Sequence, residues 1–215
     1  MDFEREKLMS IIQGMVQTIA ENEQYLNQLD SVIGDAEHGS NLKQAFEKAL
    51  CKIETLNVEQ PEELLTEFGK AVAGSGCGSG PLFIGLAIKA AGRYLLQSGL
   101  QNPSSIKEAF RAALEAVKEK GGAQVGDKTL VDALEPAVQA FEKALQSGQS
   151  LAEAFAQARE AAREGMLSTK DLAGKRGRAS YLGERGVGYQ DPGATSIYLL
   201  LESVYQSLTR KESNP

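Results

Sequence analysis

The chain has 215 residues, 42% of them hydrophobic and 24% charged, with a formal net charge of −6. That is enough chain for one domain with a sizeable core, and the acidic balance argues against a nucleic-acid or anionic-membrane surface as the main function. No run has the apolar length of a membrane span, the first ten residues are unlike a signal peptide, and Cys51 and Cys77 lack the number and spacing of a disulfide framework or zinc site, so the cytoplasm is the expected compartment.

Leu8, Ile11, Ile12, Met15, Val16 and Ile19 recur at three- and four-residue intervals and predict a helix over 3–28. The same spacing predicts helices over 41–54, 61–73, 81–97, 105–120, 129–146, 150–168 and 194–209. Ser105 with Glu108 and Ser150 with Glu153 have the spacing of a capping box, and Pro61 and Pro81 suit a first helical turn. Pro136 should kink the sixth helix or sit close to its start. No segment alternates as a strand does, so residues 1–215 read as a single all-α domain, a bundle of eight antiparallel helices.

The connections are unequal. Those after the second, fourth and sixth helices are ordinary turns. Those before the second, fourth, sixth and eighth are "DSVIGDAEHGSN", "GSGCGSGP", "GGAQVGDKT" and "AGKRGRASYLGERGVGYQDPGAT". Short links favour antiparallel neighbours, which brings these four loops and the helix N-termini they precede to one end of the bundle. Unpaired N–H groups and the positive end of the helix dipole suit a phosphate there, and acidic side chains beside them suit Mg²⁺, so a nucleotide site is the economical explanation.

In the first of these loops Asp30, Asp35 and Glu37 offer hard oxygen ligands suited to Mg²⁺, the alternative being a solvated acidic turn. His38 stands at a helix start, where packing, capping or a phosphate contact are all open to it. "GSGCGSGP" resembles a phosphate cradle but lacks the Gly-Lys-Ser/Thr ending of a Walker A loop, and Cys77 is read as a small filler. In the third loop Gly121 is a helix stop and Thr129 an N-cap. The fourth and longest holds the basic cluster Lys175, Arg176, Arg178 and Arg185, with no evident anchor except a ligand.

Together and in order, "IGDAEHGSN", "GSGPLF", "GDKT", "GRASYLGER" and "QDPGATS" resemble the nucleotide-binding L subunit of dihydroxyacetone kinases over essentially the whole chain. The resemblance implies a closed barrel of eight antiparallel helices with Mg-ATP or Mg-ADP at one end. It implies metal ligands at Asp30, Asp35 and Glu37. Nucleotide contacts are implied at His38, Gly39, Ser40, Asn41, Gly78, Ser79, Gly121, Leu130, Arg178, Asp191, Pro192 and Gly193. Two positions depart from the family, which usually has Asp in place of Glu37 and His in place of Tyr189.

The family further implies that a separate K subunit holds the ketone through a histidine, and that in some versions a phosphotransferase-system protein rephosphorylates the bound ADP. His38 is the only histidine here and lies in the nucleotide motif, so the chain is expected to donate the phosphoryl group, with Arg178 offsetting charge during transfer. The rival expectation is a nucleotide-sensing module that binds a transcription regulator or a kinase partner without turnover.

Overall fold

The computed structural model describes residues 2–58, 60–100 and 102–210. Among them are nine α-helices and no strand. They are α1 (Asp2–Glu21), α2 (Glu23–Ile33), α3 (His38–Glu54), α4 (Glu62–Ala73), α5 (Ser79–Ser98), α6 (Pro103–Gly121), α7 (Val131–Gln146), α8 (Leu151–Ser168) and α9 (Pro192–Thr209). The expected count of eight is therefore corrected, and the reason lies in the first segment. At Asn22 the side-chain amide and the backbone N–H both donate to the Thr18 carbonyl, at 2.8 and 3.2 Å. This local competition ends α1. The chain re-enters a helix that runs to Ile33, so Asp30 stands in the last turn of α2 rather than in a loop.

Starts differ from expectation for equally local reasons. The α6 start is set by Asn102, whose side chain accepts from the Ser104 N–H at 2.9 Å with Pro103 in the first turn. The expected Ser105–Glu108 box does not form. The Ser105 hydroxyl donates to the Ser98 carbonyl, and Glu108 pairs with Lys107 and Arg111. The Ser150–Glu153 box does form at the start of α8. Pro136 lies inside α7, five residues after its start. It has no N–H for the Asp132 carbonyl, and Gly165 of α8 packs onto that carbonyl so closely that a Cβ would overlap it.

Each helix packs on the next in chain order, and α9 packs on α1, α7 and α8, which closes the ring. The core runs through all the helices, with Phe46 and Phe68 edge to face and Phe110, Phe141 and Phe155 in a second cluster. An apolar cavity of about 460 Å³ extends toward the short connections, where Leu100, Pro103 and Leu151 line it. Among the described residues no helix is long and apolar enough to cross a membrane.

A close backbone approach also joins α4 to α5. A Cβ on Gly85 would stand 2.7 Å from Ala73 Cα, and one on Gly69 would stand 2.8 Å from the Gly85 carbonyl oxygen. Alanine normally gains about 1 kcal/mol over glycine inside a helix. Overpacking against backbone, which cannot rotate away, costs about 1–3 kcal/mol or more. Gly85→Ala should therefore lower unfolding stability by about 1–2 kcal/mol net, the backbone contact being unable to relax. Urea unfolding measures this, and a gain in stability would mean the helices separate freely.

Candidate functional site

Contacts between distant helix starts define the site. Gly78, the residue before α5, faces the Asn41 side-chain nitrogen of α3, with 3.6 Å from a Cβ built there. The His38 ring lies under Gly80, and its Nε2 is 2.9 Å from Ser196 Oγ of α9. Gly193 at the start of α9 packs on Leu130 before α7, and Gly121 at the end of α6 packs on Phe83 of α5. The four unusual connections therefore meet at one end, as their composition predicts.

Their backbone donors are not equally available. In α3 the His38 N–H donates to Asp30 Oδ2 at 3.2 Å, and the Gly39 and Ser40 N–H groups donate to Asn27 Oδ1 at 2.8 and 3.1 Å. In α7 the Val131 N–H donates to the Thr129 hydroxyl and that of Asp132 to the Thr129 carbonyl. In α9 Pro192 has no N–H, and the Ala194 N–H donates to Asp191 Oδ2 at 2.7 Å. Only α5 differs. Gly78 gives it no side-chain cap, and among the described residues the Ser79 and Gly80 N–H groups have no acceptor. The positive φ of Gly76 and Gly78 turns this exposed loop toward α3.

Beside that open helix start lie the acidic residues. Asp30 is buried, and its Oδ2 accepts from the Glu37 N–H at 3.0 Å as well as from His38. Gly34 leaves the space that the Asp30 carboxylate fills. Ala36 takes a left-handed φ of 64°, so the turn is tight and mildly strained. Burial, reinforced by the neighbouring Asp35, raises the pKa of Asp30 above the ordinary carboxylate range. Asp35 receives the Arg178 guanidinium at 2.6 Å. Glu37 is exposed. Among the described residues no three carboxylate, thiol or imidazole groups converge as a metal cage. The donor set is nevertheless all hard oxygen, and a cation already sits on Asp35, which fits a site for Mg²⁺.

His38 is a neutral element of this end. Burial lowers its pKa to about 4, against the opposing influence of Asp35. The Ser196 hydroxyl lies between the Pro192 carbonyl at 3.0 Å and His38 Nε2 at 2.9 Å, and His38 Nδ1 lies against Gly80. Asp191, fully buried as the α9 cap, is pushed up to about 7 by burial, with Asp132 adding to the rise and Lys128 opposing it.

The long fourth loop is not the unanchored segment expected. It contains three 3-10 turns, Thr169–Asp171, Arg178–Tyr181 and Gly183–Gly186. The third loop holds it. Lys128 Nζ donates to the carbonyls of Thr169, Leu172, Gly186 and Tyr189, and the Lys175 N–H donates to the Asp127 carbonyl at 3.1 Å. Lys175 and Arg176 lie 3.9 and 3.6 Å from the buried Asp127 carboxylate. The basic cluster is thus divided. Arg178 faces the acidic turn, two members face Asp127, and Arg185 makes no ion pair among the described residues. Asn27, Lys128, Asp132 and Ser196 were missed from sequence. Lys128 lies in the motif "GDKT", from which Thr129 alone was read, and Ser196 closes "QDPGATS", from which Asp191, Pro192 and Gly193 were read.

A DAK2 domain profile matches residues 32–206. The chain belongs to the DAK2-domain family. It is 34% identical over 190 residues to the ADP-binding subunit DhaL of the PEP-dependent dihydroxyacetone kinase of Escherichia coli, covering 88% of this chain and 89% of that protein. It is 33% identical over 209 residues to an L-erythrulose 1-kinase of Mycolicibacterium smegmatis, covering 94% of this chain but only 36% of the relative. The crystal structure of the dihydroxyacetone kinase of C. freundii superposes with a TM-score of 0.67 at 26% identity, over 93% of this chain and 34% of that one. The DAK2 chain therefore spans most of the E. coli subunit and about a third of the two longer kinases.

With one histidine in the chain, its titration is read without ambiguity. In protein free of metal and nucleotide, the imidazole proton resonances should stay fixed from pH 8 to about 5.5 and move with a midpoint near 4. The unfolded chain takes up this proton below its ordinary 6.5 and the folded chain does not until about 4, so the contribution to stability falls as pH drops through that window. A midpoint near 6.5 would place His38 in solvent.

Proposed function

We propose that this DAK2 chain is the nucleotide-binding, phosphoryl-donating subunit of a dihydroxyacetone-type kinase. It transfers phosphate from Mg-ATP, or from ADP rephosphorylated in place, to a short ketose held on a separate K subunit. The observation that carries this reading is the uncapped start of α5 packed on His38, whose N–H Asp30 caps, in the same turn where Asp35 pairs with Arg178. Free N–H groups donate to phosphate oxygens, and carboxylates next to them need a cation between. The names of the relatives, an ADP-binding subunit and an erythrulose kinase, support the same class of donor and acceptor.

Asp30, Asp35 and Glu37 would hold Mg²⁺, which supplies charge neutralisation along the phosphate chain when bound. Ser79 and Gly80 would cradle phosphate through their backbone, with Gly78 permitting the close approach and Asn41 at the side. His38, Gly39 and Ser40 shape the floor, and Gly121, Leu130, Asp191, Pro192 and Gly193 form the far wall. Arg178 is the group suited to charge that develops during transfer. Such chemistry is mainly positioning and electrostatics, so no nucleophile of the protein is needed.

Purified protein mixed with Mg²⁺ and labelled ATP, a K-type subunit and dihydroxyacetone or erythrulose tests the reading. Sugar phosphate should form, and any nucleotide retained through purification should be ADP by mass spectrometry. Retained ADP that resists exchange indicates rephosphorylation in place, and rapid exchange indicates ATP as donor. Sustained nucleotide binding without turnover would favour a regulatory module acting on a transcription regulator instead.

Asp35→Ala should weaken Mg-ADP by at least the roughly ten- to hundredfold that loss of an outer metal partner costs. Titration calorimetry measures it, and Glu37→Asp should be milder than Glu37→Ala. Arg178→Ala should lower kcat by about a hundredfold or more while nucleotide affinity changes little, the sign of an interaction made in the transition state. Arg178→Lys should recover only part, since an ammonium lacks the planar two-point fork. Equal losses in rate and affinity for Arg178→Ala would make it an ordinary binding contact.

A further inference from the structure

Lys128 is out of place by every local rule. It adopts a left-handed φ of 62°, a conformation that glycine takes without cost and lysine does not. Its side chain is among the largest fully buried ones, at 1% exposure. Among the described residues it has no carboxylate within ion-pair distance. Instead Nζ lies 2.7, 3.1, 2.9 and 2.5 Å from the carbonyl oxygens of Thr169, Leu172, Gly186 and Tyr189. A buried ammonium with three N–H groups is thus caged by four backbone dipoles from both ends of the long loop. Asp191, Asp132 and Asp171 add attraction at longer range.

The loop's own backbone bonds are mostly single 3-10 turns, and two further bonds tie one end to the other, the Gly188 N–H to the Lys170 carbonyl at 2.7 Å and the Asp191 N–H to the Thr169 hydroxyl at 2.9 Å. Between the two caged ends runs the segment that carries Arg178. Asp132 holds the platform from below, accepting from the Gly126 and Thr129 N–H groups at 2.6 and 2.7 Å. The strained backbone at Lys128 persists because these bonds on either side determine it.

We propose that Lys128 is the positioning residue of phosphoryl transfer, an internal cation that closes the ends of the long loop and so sets Arg178 over Asp35. This rests on the transfer role given to Arg178. The ammonium acts on the loop backbone, not on the phosphates. Its removal frees four carbonyls that only an opened, hydrated loop satisfies. Arg178 then loses its fixed approach while the start of α5 and the acidic turn keep theirs.

The test uses Lys128→Met in the full chain. Amide exchange at Lys175 and Gly188 should rise at least about tenfold, with amides of α3 and α5 unchanged. With a K-type subunit, kcat should fall at least about tenfold while Mg-ADP affinity stays within about threefold. Added to Arg178→Ala, Lys128→Met should cost less than about a further twofold, because a residue acting through Arg178 has nothing left to position. Lys128→Arg, which keeps donors and charge, should restore part of the protection. If Lys128→Met does not fold, Lys128→Gln is read by the same measurements. Unchanged exchange at Lys175 and Gly188, multiplicative losses in the double variant, or a loosened loop with full kcat would each overturn the proposal. Absence of transfer by the unaltered protein with its partner would fall on the proposed function instead, and the exchange result would still decide whether Lys128 closes the loop.

Discussion

Helix starts carry backbone N–H groups that their own helix cannot satisfy, and this chain gathers four such starts at one end. The requirement that buried donors find acceptors organises that end. Asn27 and Asp30 reach from α2 to the start of α3, Thr129 serves α7, and Asp191 serves α9. The caps from α2 are also struts, since Asn27 and Asp30 tie that helix to α3. With three of these starts capped by side chains, the start of α5 is the one of the four whose first N–H groups, those of Ser79 and Gly80, have no acceptor among the described residues.

The same economy governs charge. The chain is acidic overall, yet two of its basic residues face Asp127 and a third faces Asp35. Exposed pairs of this kind contribute little to stability on their own. Arg178 is more than half exposed, so its bond to Asp35 is readily exchanged for another anion. Lys128 is the opposite case. Its charge is enclosed, satisfied by carbonyls alone, and costly to disturb. A buried cation below and an exposed one above give the loop a held base and an arginine side chain open to a ligand.

The helical period made the architecture legible, because apolar spacing reports which face is buried. The meeting of the four loops was legible too, from the alternation of short and long connections. What could not be read was how helix starts are satisfied by distant side chains. Asn27 caps a helix eleven residues onward, and nothing in its own neighbourhood announces it. Likewise the break at Asn22 leaves the apolar spacing intact, so the period continues across it. Lys128 was hidden for a further reason. Its partners are backbone carbonyls up to 61 residues away, which leave no mark on residue type.

The two positions that depart from the family pattern follow from this division between backbone and side chain. At Glu37 the fold uses the N–H, donated to Asp30, while the residue itself is exposed. At Tyr189 it uses the carbonyl, which accepts from Lys128 Nζ, while the residue is 47% exposed. Neither side chain is needed for the caps or the cage, so either is free to change without disturbing them. Any effect of the longer carboxylate or of the phenol must then fall on what lies outside the fold, a metal, a nucleotide or a partner. Variation at these two positions is structurally cheap because main-chain atoms, not their side chains, make the bonds to Asp30 and Lys128.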